Sequence, residues 1–105
     1  MAQIIWTEPA IADLDAIADY IALENPFAAS ELVRRVVAHV RQLAAHPESG
    51  SRPGELGRAT RYRQILEPPC RIFYRLDGRR VLILHVMRAE RLLRRRRFAR
   101  PRSKR

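Results

Sequence analysis

Apolar and polar positions along the chain change period from segment to segment, and each change marks an element. Gln3-Ile4-Ile5-Trp6 is short, apolar and β-branched and stops at Thr7, which predicts a strand feeding a helix. Thr7 suits the N-cap, Glu8 adds negative charge to the first turn, and Pro9 sits where a missing amide hydrogen costs little. Ala10, Leu14, Ile17 and Ile21 then form one stripe at helical spacing, with Asp13, Asp15 and Asp19 largely outside it. This helix is expected to end at Asn25-Pro26. A second helix follows at once, capped by Asn25, with Leu32, Val33, Val36, Val37, Val40 and Leu43 inward and Glu31, Arg34, Arg35 and Arg41 outward, closed by Pro47. So short a connection makes the two helices antiparallel neighbours.

Pro47 to Gly57 is rich in Pro, Gly and Ser and reads as a loop, with no phosphate-cradling glycine pattern. Period-two segments come next: Tyr62 to Glu67, Cys70 to Leu76, and, after an Asp77-Gly78 turn, Val81 to Arg88. Alternation places Ile72, Tyr74 and Leu76 on one face and Arg71, Phe73 and Arg75 on the other. Val81 to Val86 is apolar on both faces, the mark of a central strand.

The 105 residues, 47% of them hydrophobic, suit one domain with a single modest core. No stretch approaches the ~18 apolar residues of a membrane span, and no signal-peptide pattern opens the chain, so the expected location is the cytoplasm. The lone Cys70 offers neither an internal disulfide nor a cysteine zinc site. The net charge of +10 is uneven: residues 94–105 hold eight basic side chains and no acidic one. That tail reads as a solvated extension or as an electrostatic attractor for nucleic acid or an acidic protein surface.

The sheet carries the candidate chemistry. Arg61, Arg63, Arg71, Arg75 and Arg88 are expected to present cations on one face while apolar side chains on the other build the core. Cleavage of RNA needs cations for the charged phosphorane and two groups to move protons, for which Glu55, Glu67, His85, Tyr62 and Tyr74 are the candidates. Each has a structural alternative. His85 alternates with Val81, Ile83 and Met87 and reads as half-buried, His39 and His46 read as surface or helix-end groups, and the tyrosines read as sheet packing. No histidine or carboxylate spacing suggests a metal, and no cofactor motif appears. Arg71, shielded by its neighbours, needs a partner: Glu67 or Glu90 within the chain, or a phosphate or carboxylate from another molecule.

The order of these segments resembles a known family. Ile5-Trp6-Thr7 leads into a helix with Asp13-Leu14 and Ile17, then Tyr20-Ile21, Asn25-Pro26 and Ala28-Ala29. The Pro47-to-Gly50 loop, the Arg71-Ile72-Phe73-Tyr74-Arg75 strand and the Ile83-Leu84-His85-Val86 strand follow, closing on Arg88 and Arg91. From Ile4 to Leu93 this is similar to the ParE/RelE superfamily of toxins from bacterial type II toxin-antitoxin operons. The resemblance implies an α+β fold, with an N-terminal strand and an antiparallel helical hairpin packed on a twisted, mainly antiparallel sheet of about four strands. It makes residues 1–93 the toxin domain and 94–105 a basic tail. It also implies a cognate antitoxin, a toxin-antitoxin hetero-oligomer and bacterial cytoplasmic action.

RelE-like members cleave mRNA on the ribosome, commonly with a Tyr or His near the C-terminus, whereas ParE-like members poison DNA gyrase. Arg71 falls on the strand arginine that some ribosome-dependent members use for phosphate, and Glu55 lies near the carboxylate a few use as base. The stretch Met87-Arg88-Ala89-Glu90-Arg91-Leu92-Leu93 has no Tyr or His. The expectation is therefore a gyrase inhibitor working through Arg61, Arg63, Arg71, Arg75, Arg88 and Arg91, with an mRNA endonuclease as the alternative.

Overall fold

Two side-chain caps define the helices. In the computed structural model, which describes residues 1–89, Thr7 is extended and its hydroxyl accepts from the Ala10 amide, opening α1 (Glu8–Ala22). Asn25 Oδ1 accepts from the Ala28 amide at 3.0 Å and opens α2 (Pro26–Arg41), with Pro26 at the first helical position. α1 stops at Ala22, ahead of the expected Asn25-Pro26 boundary, and α2 tightens into a 3-10 turn over Gln42–Ala44 before Pro47.

The strands are β1 (Gln3–Trp6), β2 (Tyr62–Glu67), β3 (Cys70–Asp77) and β4 (Arg80–Arg88), ordered β1-β4-β3-β2. β1 runs parallel to β4, while β4 with β3 and β3 with β2 are antiparallel. β4 is thus central, as its two apolar faces require. Gly78, at φ +62°, takes the left-handed turn into β4 that a residue with a Cβ enters only with strain.

One face of the sheet is roofed by the helices. Ala10 and Leu14 of α1 and Leu32, Val36 and Val40 of α2 pack with Ile65, Cys70, Ile72, Tyr74, Val81, Ile83 and Val86. The opposite face carries a smaller cluster in which Phe73 and Met87 are covered in part by Leu56, from a 3-10 turn over Gly54–Leu56.

β4 departs from strict alternation. Tyr74 pairs with Ile83 but Phe73 pairs with His85, so Leu84 is an extra residue and the strand bulges there. Val81 and Ile83 face the helices before the bulge, and Val86 faces them after it. His85 therefore does not share the face of Val81 and Ile83, contrary to the period-two reading.

Candidate functional site

β3 sets Arg71, Phe73 and Arg75 on the face turned away from the helices. Arg71 is 8% exposed. A guanidinium so shielded is tolerated only with its donors satisfied. Its Nη1 and Nη2 donate to Glu55 Oε2 and Oε1, both at 2.9 Å, and its Nε donates to Gln64 Oε1 at 3.0 Å. The carbon of the guanidinium also lies 5.0 Å from the centre of the Phe73 ring. Glu55 is delivered by the Gly54–Leu56 turn, whose Leu56 packs on Phe73 and Met87, so apolar contact places the carboxylate.

The partner of Arg71 within the chain is thus Glu55, not Glu67. Glu67 is taken by α2: Arg35 Nε reaches its Oε2 at 3.2 Å and His39 Nδ1 lies 3.0 Å from its Oε1. Arg35 also donates to the Pro68 carbonyl at 3.1 Å, tying α2 to the β2–β3 turn. Glu90 and Arg91 lie outside the described residues, as does the tail 94–105.

The remaining arginines do not share one face, which corrects the expected single basic surface. Directly opposed residues of an antiparallel pair project to the same side. Arg63 opposes Tyr74 and so faces the helices, where its Nη1 donates to the Glu48 and Gly50 carbonyls at 3.1 and 2.8 Å. Arg88 opposes buried Cys70, also on the helix side, and its guanidinium sits 5.6 Å from the Tyr20 ring centre on α1. Arg75 stays with Arg71, opposite Tyr62 and Leu82, and its shielded Nε has no hydrogen-bond partner among the described residues. Arg61 is exposed, just ahead of β2.

Two polar features have no periodic signature in the sequence. At the bulge, Thr7 Oγ1 donates to the Ile83 carbonyl at 2.6 Å, while Asp13 Oδ2 accepts from the Val86 amide at 3.0 Å and lies 3.3 Å from His85 Nδ1. The backbone groups that the extra residue frees are met by α1. On the other side of the core, the Tyr74 hydroxyl donates to the Pro47 carbonyl at 2.8 Å and accepts from the Gly50 amide at 2.9 Å. Burial pushes its pKa above the usual tyrosine value, opposed by the Gly50 hydrogen bond and the Arg63 charge. Of the proton-transfer candidates, Glu55 is in direct contact with Arg71. Among the described residues no group of three His, Cys, Asp or Glu side chains is arranged to hold a metal.

The fold and the order of these elements agree with comparison to known proteins. The family described as the ParE toxin of type II toxin-antitoxin system, parDE, matches residues 4–93. The chain belongs to this toxin family. It is 38% identical over 92 residues to Toxin RelE2 of Caulobacter vibrioides, spanning 88% of this chain and all of that protein. A putative toxin of Sinorhizobium fredii, Y4kP, is 41% identical over 87 residues, spanning 83% of this chain and 88% of the relative. Among solved structures, the chromosomal ParDE system of P. aeruginosa superposes with a TM-score of 0.71 at 34% identity, covering 86% of this chain and 98% of that one. The Mycobacterium tuberculosis RelBE2 complex shares the fold at a TM-score of 0.58 and 22% identity, over 83% and 96% of the two chains. This ParE-family chain is a type II toxin-antitoxin toxin with two helices on a four-stranded, mostly antiparallel sheet.

Proposed function

We propose that the chain arrests growth as a ParE-type inhibitor of DNA gyrase, acting in the bacterial cytoplasm by protein contact and held inactive by a cognate antitoxin. The observation that carries this reading is the commitment of Arg71 to Glu55. A nuclease using that strand arginine needs its guanidinium for the phosphate and the nearby carboxylate for a proton, yet here each group occupies the other. A ligand phosphate would have to displace a two-pronged ion pair inside a shielded pocket. Stabilising a gyrase-DNA cleavage state asks no bond chemistry of the toxin. It needs a rigid surface, which Arg71 braces and Arg75 borders.

The 34% identical neighbour, whose solved structure is of a chromosomal ParDE system, supports an antitoxin partner. The partner would carry an acidic segment that orders on binding and covers exposed apolar side chains such as Leu66 on β2. Among the described residues no helix is long and apolar enough to cross a membrane.

Ribosome-dependent mRNA cleavage remains the second reading, because a carboxylate and an arginine do meet on the sheet and one relative is named RelE2. Purified toxin with gyrase and supercoiled plasmid, run beside a translation reaction, separates the two. Linearised DNA with lost supercoiling and intact mRNA is the expected result. Codon-specific mRNA cuts with unaffected gyrase would overturn it.

A further inference from the structure

The outer face of the α1–α2 hairpin is a shallow groove of about 670 Å³ with an apolar floor of small side chains, including Ala18, Ala22, Ala29 and Ala38. Its two rims are opposite in charge. α1 contains no basic residue, and Asp15 and Asp19, four apart, stand exposed on or beside the groove. α2 supplies Arg34 and Arg41, seven apart, on the other rim. Asp15, Asp19 and Arg41 have no ion-pair partner among the described residues, and Arg34 is held only by its neighbour Glu31 one turn away.

We propose that a second copy of this chain occupies the groove. A two-fold axis parallel to the helices lays α1 of each copy under α2 of the other and keeps both hairpin links at the same end. Register then follows from the link of only three residues, Leu23 to Asn25. Asp15 lies about as far from its centre as Arg34, and Glu8 about as far as Arg41. Each acidic rim meets the basic rim of the other copy at matching height, twice over by symmetry. The small floor residues let the helices approach closely. At the link end, Leu23 and Phe27, 80% and 73% exposed, meet their counterparts and leave water.

Net charge does not prevent this, because outside residues 94–105 the chain holds 13 basic and 11 acidic residues. The hairpin face measures about 22 by 20 Å, or roughly 450 Å² per copy, at the low end for specific interfaces. A dissociation constant in the micromolar range is expected.

The test is sedimentation of the full-length chain, freed of other proteins, from low micromolar to several hundred micromolar concentration. A reversible monomer-to-dimer rise in mass is expected. Arg34→Glu should weaken it about tenfold or more, since two pairs become repulsive at once. Adding Asp15→Arg in the same chain should restore it, because each new arginine then meets a new glutamate across the axis. Unchanged thermal unfolding of both variants excludes a folding defect at these exposed positions. A chain that stays monomeric throughout, a dimer indifferent to Arg34→Glu, or a loss that the double exchange does not rescue would each overturn the proposal. A monomer whose groove is protected only when an antitoxin is added would do so too, assigning the groove to that partner.

Discussion

Arg71 and Glu55 come from a strand and a loop turn 16 positions apart and meet through two parallel hydrogen bonds of 2.9 Å. With Leu56 seated on Phe73 and Met87, this pair fastens the Pro47-to-Gly57 loop to the sheet. Removing one partner leaves the other charge shielded from water. Glu55→Ala should therefore cost about 3 kcal/mol, the lower end for a buried pair because Glu55 keeps some solvent contact, and lower Tm by about 10 °C or more. Glu55→Gln retains an acceptor for Arg71 and should fold with a smaller loss while remaining toxic. A folded but harmless Glu55→Gln protein, assayed without antitoxin, would instead mark Glu55 as a proton-transfer group.

A second expectation concerns Gly50. A Cβ built there would lie 2.5 Å from the Tyr74 hydroxyl and 2.6 Å from the Gln64 carbonyl, and the second of these is backbone that cannot swing aside. Gly50→Ala should cost about 1–3 kcal/mol in denaturant unfolding. Gly54, with nothing within 4 Å of its Cβ position, should accept alanine with little change.

Tyr74 gives a pH signature. Its folded pKa is raised above the ordinary value of 10.0, so above that value the unfolded chain loses the proton first. The folded state then binds more protons, and stability falls as pH rises from about 10 towards the folded pKa. The contribution is fully present below about pH 10. Tyr74→Phe should lose about 1 kcal/mol near neutrality from the missing hydroxyl bonds, and this deficit should shrink in alkali. A constant difference between the two proteins up to about pH 11 would show that the hydroxyl does not titrate differently on folding.

The contacts of α1 with the bulge predict a different pattern. Asp13→Ala strips the Val86 amide and the His85 ring of one shared acceptor, for an expected loss of about 1–3 kcal/mol. Asp13→Asn keeps an oxygen for the amide and should lose less. Amide exchange at Val86 measures this directly and should quicken in the alanine variant alone.

The helices were legible because their signals are local. Thr7 and Asn25 cap within three residues, the stripes repeat at helical spacing, and the strand boundaries fall within a residue or so of the period-two segments. The faces of the arginines required longer-range information. The two-residue Pro68-Pro69 turn opposes Glu67 to Cys70, so counting outward places Arg63 with Tyr74; that signal was present in the chain. The bulge at Leu84 has no such marker, since an apolar run on both faces hides one extra residue, and it carries Arg88 to the helix side. The Glu55–Arg71 pair was hidden for another reason: an aperiodic loop gives no register.

Ending the chain at Leu93, where the family match stops, tests the tail by charge alone. The truncated protein lacks eight of its 21 basic residues. Toxicity should survive, while retention on DNA falls and its salt dependence flattens because fewer phosphates are neutralised. Growth assays paired with DNA binding at two salt concentrations measure both. A folded truncation without toxicity would move the functional surface into the deleted residues.

β1 has β4 as its neighbour in the sheet, and α1 is docked on β4 through Thr7 and Asp13. β1 and α1 therefore emerge during synthesis long before the strand that completes them. Until Arg88 has been translated, the growing chain has no floor for its first helix and no ladder for its first strand. The cell thus meets β1 and α1 as an unclosed precursor until β4 has been made, and as a finished surface only afterwards. A neutralising protein already waiting can reach it at the moment the sheet shuts.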